Sequence, residues 1–389
     1  MRTGVVQSPL HSGHCPPWLF ERMRRLSAAI VEAIVELFGP HEVLVRLADP
    51  IWFQAFGNVL GFDWHSSGLT TVVCGALKEG LAERQGELGI FVAGGKGRAS
   101  RKTPQEIEAA AERYGLGVDV AGLQDASRMA AKVDNNALQD GFQLYHHVFV
   151  FTADGTWCVI QQGMDETSRY ARRYHWLSRG VEDFVVEPHS GILGDRTRQV
   201  LNLVARESAA VRQASTELVT DPKEVLRVLR EIHAGRYTKT LHLPPGHAVP
   251  NADRLDKILY KIYDLRPETY RDLVGMQGVG ASTLRALAMV AEVIYGARPS
   301  REDPVRYSFA HGGKDGHPRP VNRRDYDTSI RVLQQAIEQA RLGNREKLDT
   351  LRRLARWQER AAPARSWTLS PGTDPSGRVV DGGTSRFDA

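Results

Sequence analysis

One β-hairpin pattern interrupts a mostly helical sequence and sets the fold class. Residues 145–164, "YHHVFVFTADGTWCVIQQGM", form two runs of β-branched and aromatic residues on either side of Asp154-Gly155. Two such runs around an Asp-Gly pair are typical of antiparallel strands joined by a tight turn. Alternate residues of a strand point to opposite faces of its sheet, so Gln161 and Gln162 should lie on opposite faces.

Helical periodicity dominates the rest of the chain. Apolar residues recur every three or four positions in "WLFERMRRLSAAIVEAIVELFG", and Gly39-Pro40 should end that helix. Further along, the pattern predicts helices over 196–213, 222–233, 253–263, 281–295, 325–342 and 345–361. We therefore predict an α+β fold, in which a mixed N-terminal region with the β-hairpin precedes an all-helical region.

The chain is long enough for two domains, since its 389 residues compare with about 100–200 residues per domain. We predict a mixed α+β region at residues 1–190, to which we assign any catalysis, and a helical region at 191–362. Residues 363–389 are rich in Gly, Pro and Ser, so we expect a disordered tail there.

Composition limits the possible cellular location of the protein and the kind of partner that it could bind. The formal net charge of +5 permits an anionic partner without requiring one. The three cysteines are far apart and odd in number, which is neither metal-ligand spacing nor a disulfide framework. The N-terminus lacks the apolar core of a signal peptide, and no apolar run reaches the roughly 18 residues of a membrane span. We expect a cytoplasmic protein.

A glycine turn stands out in residues 273–296, "LVGMQGVGASTLRALAMVAEVIYG". Its glycines allow the backbone to approach a ligand closely, and free N–H groups at the start of the following helix favour an anion. The segment resembles a helix-hairpin-helix, the module with which many DNA repair and recombination proteins hold a phosphate. The resemblance implies sequence-independent contacts with DNA from Gly278, Gly280, Ser282, Thr283 and Arg285. The alternative is a tight turn that binds nothing.

Base-excision glycosylases are one subclass with this hairpin, and they place a catalytic Asp some way after it. Here "GARPSREDP" puts Asp303 at a comparable distance from Ser282. A lysine at position 282 would indicate Schiff-base chemistry, but the chain has serine. The sequence after Asp303 also departs from the glycosylase pattern, so a glycosylase-like enzyme is a further alternative.

Two glycine-rich basic segments add possible phosphate contacts. "AGGKGRASRKTPQ" (93–105) has four cations, including Lys96 and Lys102, and no acid. Its glycines suit a phosphate, although the P-loop spacing is absent. "HGGKDGHPRP" (311–320) offers Lys314. Both segments suit ordinary surface loops equally well.

A third basic segment, "RYARRYHW" (169–176), combines arginines with aromatic residues. We predict a helix here, which would place Arg169, Arg172 and Arg173 on one face. Arginines interleaved with aromatic side chains suit phosphate charge and base stacking, so all three are predicted DNA contacts. The alternative is a solvated helix face whose aromatic residues pack inward.

Catalysis on DNA would need a metal site. Nucleases use carboxylates and histidines to hold divalent cations, which activate water and stabilise the charged transition state. As catalytic residues we predict Asp63, His65, Lys96, Asp134 and Gln162. Asp63, His65 and Asp134 would hold Mg²⁺ or Mn²⁺. No ligand pair has a diagnostic spacing, and each residue alone is more often a capping aspartate or a core histidine.

Several unusual strings together carry a whole-chain resemblance. They are "PLHSGHCPPWLFERM", "FQAFGNVLGFDWHSSGLTTVVCGALKEGL", "GIFVAGGKGRASRKTP", "LYHHVFVF", "VIQQGM", "RYARRYHW" and "RYSFAHGGKDGHP". Over roughly residues 1–340 the chain resembles the prokaryotic family called domain of unknown function 763. The resemblance implies one ancestral unit and brings no activity with it.

The sequence leaves two main hypotheses of function. The first is a metal-dependent DNA nuclease in repair or recombination, with catalysis in the mixed region and the hairpin holding the duplex. The second is a non-catalytic DNA-binding adaptor. The nuclease hypothesis requires that the predicted catalytic residues converge in one cleft.

Overall fold

A computed structural model describes residues 15–62, 67–165, 170–194, 200–237, 241, 248–305 and 323–361, with the backbone alone over 323–330 and 357–361. The helices are α1 (Pro17–Phe38), α2 (Pro40–Leu47), α3 (Pro50–Val59), α4 (Gly68–Leu81), α5 (Gln85–Leu88), α6 (Thr103–Tyr114), α7 (Val120–Lys132), α8 (Ala209–Leu218), α9 (Pro222–His233), α10 (Ala252–Leu265), α11 (Tyr270–Gly275), α12 (Ala281–Tyr295), α13 (Arg323–Gln339) and α14 (Asn344–Ala361). The strands are β1 (Ile90–Lys96), β2 (Leu138–Gln139), β3 (Gln143–Thr152), β4 (Trp157–Asp165), β5 (Tyr170–Leu177), β6 (Gly191–Leu193) and β7 (Leu201–Asn202).

Five antiparallel strands form the central sheet, in the order β1-β3-β4-β5-β6. Strands β3 and β4 are the predicted hairpin. Its turn closes where the Gly155 N–H donates to the Thr152 carbonyl at 2.9 Å, with Gly155 at φ +82°. Asp154 Oδ1 accepts a hydrogen bond from the Thr156 N–H at 3.1 Å. The Asp-Gly pair therefore supplies both the left-handed turn residue and a side-chain acceptor, and the hairpin prediction is confirmed.

Helices cover both faces of this sheet. Face A, which carries Val148 and Cys158, packs against α1–α5, α13 and α14. Face B, which carries Phe149 and Trp157, packs against α6–α12. The alternation predicted for β4 is confirmed, because its neighbouring residues enter different hydrophobic cores.

The α+β fold class is confirmed. Each helical layer draws on both sides of residue 190, because α13 and α14 join α1–α5 on face A, and α6 and α7 join α8–α12 on face B. The division into regions 1–190 and 191–362 stays a prediction, and the expected tail at 363–389 lies outside the described residues. Within the described helices, none is both long and apolar enough to cross a membrane.

Residues 170–177 form strand β5, so the helix predicted over 169–176 was wrong. Arg172 and Tyr174 point to face B, whereas Arg173 and His175 point to face A, and all four are buried. Because charged and aromatic residues mix on both faces, the two-residue period of a strand is hidden in the sequence.

The helix predicted over 196–213 begins later than expected, at Ala209. Leu201 and Asn202 instead form β7, which pairs with β2. The Asn202 N–H also donates to the Ser300 carbonyl at 2.9 Å. These pairings join segments that are distant in sequence, and such tertiary contacts override local helical preference.

A buried ion network ties β5 to the segment after α12. The Arg172 side chain is fully buried, and it donates to Asp140 Oδ2 at 2.8 Å and to Asp303 Oδ2 at 2.7 Å. Tyr174 Oη donates to the same Asp140 oxygen at 2.7 Å. A buried charge that loses its partner is strongly destabilising, so these contacts fix the exit of α12 against the sheet.

We predict that Arg172→Met lowers the free energy of unfolding by about 3–5 kcal/mol, because Asp140 and Asp303 lose their buried counter-ion. Urea denaturation of the purified variant measures the loss. Arg206→Met is the matched control, since Arg206 forms an exposed ion pair with Glu187 and its loss should change stability little. Equal losses in the two variants would contradict the prediction.

Candidate functional site

The glycine turn lies between α11 and α12. Gly278 has φ +95°, and Gly280 is the residue before α12, which has no side-chain cap. The Val279 N–H closes the turn on the Met276 carbonyl at 3.2 Å, while the Val279 side chain is 3% exposed and joins the face B core. The Val279 side chain therefore anchors the turn in the face B core.

Protein donors hold the carbonyl groups of this loop. Lys132 Nζ donates to the Met276 and Val279 carbonyls. Lys261 Nζ donates to the Gln277 carbonyl at 3.2 Å. Burial lowers the pKa of Lys132, and the charge of Arg128 adds to that effect. Two lysine ammonium groups therefore lie within hydrogen-bond distance of the loop backbone.

The orientation of the carbonyls fixes the orientation of the N–H groups. In a planar trans peptide the C=O of one residue points opposite to the N–H of the next. The Gln277, Val279 and Ala281 carbonyls are held by lysine or glutamine donors. The N–H groups that follow them point the other way, and within the described residues they have no acceptor: Gly278, Gly280 and Ser282. Gly278 and Ser282 are exposed, and Gly280 is half-buried.

Two of the predicted hairpin contacts point inward. Thr283 is 3% exposed. Arg285 Nη1 donates to Gln139 Oε1 at 2.9 Å, and Gln139 Nε2 in turn donates to the Ala281 carbonyl at 2.8 Å. Burial lowers the pKa of Arg285. In this structure Arg285 and Gln139 support the start of α12, and Thr283 packs below it.

A row of polar residues crosses face A at one end of the sheet. Lys96 on β1 pairs with His146 on β3, which pairs with Gln162 on β4, which pairs with Arg173 on β5. We call these four residues the polar row. It brings together two of the predicted catalytic residues, Lys96 and Gln162, on either side of His146. Lys96 is exposed, and the other three are buried.

His146 is the unusual member of the polar row. It is 1% exposed, and neither ring nitrogen has a hydrogen-bond partner among the described residues. Burial lowers its pKa to about 3, and the charges of His147 and Lys96 add to that effect. The ring is therefore neutral at physiological pH. The sequence pattern placed His146 in a strand, but the absence of a partner is visible only in three dimensions.

The other members of the polar row have partners. Gln162 Nε2 donates to the Ser67 carbonyl at 2.8 Å and to the Tyr145 hydroxyl. Arg173 donates to Gln54 Oε1 at 3.1 Å and to His175 Nε2 at 2.8 Å. Burial lowers the pKa of Arg173 to about 9.

Asp134 does not join the polar row. It lies in a π-helical turn (Val133–Ala137) on face B, where its carboxylate accepts from Gln161 Nε2 at 2.6 Å and from Trp176 Nε1 at 2.9 Å. His189 Nε2 is a third neighbour of the same carboxylate. The expected convergence of Asp134 with Lys96 and Gln162 was therefore wrong. Gln161, the neighbour of Gln162, points to face B and meets the aspartate there.

The predicted arginine contacts are also placed differently from expectation. Arg172 and Arg173 are buried on opposite faces of β5, so in this structure neither presents its guanidinium to an external phosphate. Lys102 is exposed at the end of the turn over 97–102, as a phosphate contact requires. The remaining predicted residues lie outside the described ranges: Asp63, His65, Arg169 and Lys314.

The metal prediction depends on Asp63 and His65, so it stays a prediction. Among the described residues, no group of three or more His, Cys, Asp or Glu is arranged to hold a metal ion. Residues 63–66 precede Ser67, whose carbonyl accepts from Gln162. The chain therefore enters α4 next to the polar row.

The hairpin loop and the polar row lie at the same end of the sheet. The Cβ that an alanine would place at Gly280 lies 4.0 Å from Asn136 Oδ1. Asn135 Nδ2 donates to that oxygen at 3.3 Å, and Asn135 Oδ1 accepts from the Leu144 N–H at 3.1 Å. Leu144 precedes Tyr145, whose hydroxyl accepts from Gln162. The loop and the row therefore lie at the same end of the sheet, on opposite faces.

A surface cavity occupies the edge near β6. It is lined by acidic and polar residues that include His189, Glu302 and Asp303. Asp303, the residue singled out by the glycosylase comparison, accepts two hydrogen bonds from Arg172. Its carboxylate is therefore bound by a buried cation.

Comparison with protein families identifies the chain as a member of one of them. The sequence model of the family described as protein of unknown function (DUF763) matches residues 4–321, so the chain belongs to that family. This confirms the whole-chain resemblance, whereas the helix-hairpin-helix resemblance at 273–296 stays a prediction. No curated protein and no solved structure matches the chain.

The pKa of His146 predicts how stability changes with pH. A histidine whose pKa is about 3 when folded and 6.5 when unfolded binds its proton more readily in the unfolded chain. Its contribution to stability is therefore present above about pH 6.5 and is lost as the pH falls towards 3. His147 has a lowered pKa as well and acts in the same direction.

We predict that His146→Gln reduces the slope of unfolding free energy against pH between pH 6 and 4 by about one proton, or about 1.4 kcal/mol per pH unit. Urea denaturation across this pH range measures the slope. His233→Gln, at an exposed position of α9, should leave the slope unchanged. A His146→Gln slope equal to that of the wild type would contradict the burial of a neutral ring.

Proposed function

We propose that this member of the DUF763 family binds DNA, without regard to base sequence, through the hairpin loop over 276–282. The observation that carries the proposal is the set of N–H groups at Gly278, Gly280 and Ser282, which point away from the side-chain donors on the preceding carbonyls and have no acceptor within the described residues. They lie at the positive end of the α12 dipole, where a phosphate is favoured.

Charge around the loop supports the same proposal. Lys132 and Lys261 donate to the loop carbonyls, so two positive charges lie next to the loop. Backbone N–H groups and lysines contact phosphate and sugar, not base edges. Such binding should weaken steeply with salt, because counterions are released from the DNA. A DNA partner and the buried free thiols of Cys74 and Cys158 also favour a cytoplasmic location.

Ser282→Glu tests the loop without removing any buried contact, since Ser282 is exposed in the first turn of α12. A carboxylate there should stabilise the helix slightly through its dipole while repelling a phosphate. We predict at least about a tenfold loss of affinity for a fluorescent DNA duplex, which corresponds to about 1.4 kcal/mol. Fluorescence anisotropy at two salt concentrations measures the binding.

Ala121→Glu is the matched control, because it adds the same charge at an exposed first-turn position of α7. It should leave the affinity within about twofold of the wild type, as expected when the added charge is more than about a Debye length from the bound DNA. Duplex binding that is insensitive to salt, or equal losses in both variants, would overturn the proposal. Unchanged thermal unfolding of Ser282→Glu excludes a folding defect.

A metal-dependent nuclease that acts in repair or recombination is the second candidate. The convergence that it requires is incomplete, because Asp134 lies on the opposite face with Gln161 and Trp176. The candidate therefore depends on Lys96 and Gln162, which share the polar row, and on Asp63 and His65, which lie outside the described residues. A divalent cation, Mg²⁺ or Mn²⁺, would supply the activated water. The non-catalytic adaptor is the alternative. A glycosylase is less well supported, because Arg172 binds the Asp303 carboxylate.

The nuclease candidate predicts that the purified chain cleaves single-stranded, duplex or branched DNA with Mg²⁺ or Mn²⁺, and that EDTA stops the reaction. Lys96→Ala should lower the cleavage rate at least about tenfold while duplex affinity changes less, because a catalytic group acts on the transition state. Lys223→Ala, an exposed lysine on α9, should have no effect. Binding without cleavage of any substrate would leave the adaptor.

A further inference from the structure

The polar row contains one buried group whose hydrogen bonds are missing. A neutral imidazole offers one N–H donor and one acceptor nitrogen. Both nitrogens of His146 are buried, and the part of the chain that the structure describes offers them no partner. Leaving a buried polar group unpaired is costly, and such a group calls for a missing water, ion or ligand, or for a catalytic role.

The opposite face of the same strands shows that this strand pair is able to satisfy a buried histidine. His147 Nδ1 lies 2.9 Å from Gln161 Oε1, and His147 Nε2 lies 2.8 Å from Ser127 Oγ. His146 and Gln162 are the corresponding His–Gln pair on face A. The His147 ring has protein hydrogen-bond partners, whereas the His146 ring has none among the described residues, although each histidine is paired with a glutamine.

Local geometry explains why Gln162 does not satisfy His146. The β3–β4 register shifts between Leu144 and His146, which is a β-bulge at Tyr145. Bulges re-aim side chains and are frequent next to active sites. Here the Tyr145 hydroxyl and the Ser67 carbonyl take the Gln162 amide N–H groups. The His146 ring is left between Gln162 and Lys96.

The charges of the neighbouring residues indicate which kind of ligand His146 would bind. Lys96 and Arg173 lie in the same row, so a cation would be repelled. Glu106, whose carboxylate lies beside β1, is occupied by Lys78 Nζ at 2.6 Å and by the Gly94 N–H at 2.7 Å. An anion is the favoured ligand.

The loop after β1 supports the same charge. Gly94, Gly95 and Gly97 all have positive φ, and a Cβ at Gly94 would lie 2.3 Å from the His147 carbonyl oxygen. Only glycine therefore allows this close approach of β1 to β3. The loop then exposes Arg98, Arg101 and Lys102, with no acid among them. Because β1 is an edge strand and Lys96 is exposed, the Lys96 end of the row lies at the open edge of the sheet.

We propose that His146 and Lys96 form a binding site for a phosphoryl oxyanion, with the imidazole N–H and the lysine ammonium as its donors. This inference rests on the proposed function in one respect: the phosphoryl group it assigns belongs to the DNA strand held by the hairpin loop. A free inorganic phosphate would present the same oxyanion chemistry, and the experiment separates the two sources.

The test follows the ring resonances of His146 by NMR in the full chain with isotope-labelled histidine. Inorganic phosphate is the first probe, with chloride at equal ionic strength as its control. We expect a saturable shift of His146 with phosphate and none with chloride. In Lys96→Ala the phosphate affinity should fall at least about tenfold, as for the loss of one charge-assisted hydrogen bond. Lys223→Ala should leave it unchanged.

A second pair of probes identifies the source of the oxyanion. A short DNA oligonucleotide should shift His146 at lower concentration than inorganic phosphate, and the same oligonucleotide with an uncharged methylphosphonate backbone should not. A shift with phosphate that the oligonucleotide fails to reproduce would confirm the oxyanion site and overturn its assignment to DNA. No saturable shift with either probe, or full affinity in Lys96→Ala, would overturn the site itself.

Ser282→Glu keeps the two proposals distinguishable. It should weaken duplex binding and leave the response of His146 to inorganic phosphate intact. His146→Gln should abolish phosphate binding measured by calorimetry, while unchanged thermal unfolding shows that the variant is folded. Loss of the phosphate response in Ser282→Glu would mean that the loop and the row are one site, which would overturn the assignment of the oxyanion to His146 and Lys96.

Discussion

The side chain of Arg172 joins three segments that are far apart in the sequence. From β5 it binds Asp140, just after β2, and Asp303, after α12. A buried guanidinium needs carboxylate partners, because its desolvation costs several kcal/mol. The ion pair with Asp303 therefore fixes the position of the chain just after the C-terminal end of α12. Because a helix is rigid, the position of its N-terminal end is then fixed as well. The position of the hairpin loop therefore depends on an ion network at the far end of α12.

The inner contacts of the loop bear on the choice between a plain turn and a phosphate-binding turn. A turn that binds nothing could leave its carbonyls to water at little cost. Here Lys132 is half-buried to reach two of them, although burial disfavours its charge. An ordered lysine also loses side-chain entropy. The burial and the ordering of Lys132 both cost free energy, and they orient the loop so that its N–H groups point away from the lysine. This arrangement favours a ligand that accepts hydrogen bonds from those N–H groups.

The sequence carried enough information for those parts of the fold that depend on local patterns. The β3–β4 hairpin follows from its Asp-Gly turn, and the opposite faces of Gln161 and Gln162 follow from strand geometry. Strand β5 could not be predicted, because its arginines are normally surface residues and here pair with buried partners. The prediction that Asp134 lies near Lys96 and Gln162 was wrong for a related reason. Neighbouring residues of a strand lie on opposite faces, so Gln161 and Gln162 are on different sides of the sheet. Only the tertiary structure shows that Asp134 contacts Gln161.

The two histidines at the start of β3 differ in their hydrogen bonding. His147 is satisfied within the fold, whereas the ring nitrogens of His146 have no partner among the described residues. Leaving a buried polar group unpaired costs about 1–3 kcal/mol. This is a large fraction of the net free energy of unfolding of a protein, which is about 5–15 kcal/mol. His147 avoids that cost through Gln161 and Ser127, so the strand pair is able to satisfy a histidine at this depth. An apolar residue at position 146 would avoid the cost as well, and would extend the core formed by Val148 and Val150. A histidine there disfavours the free protein and favours a bound state in which its nitrogens have partners.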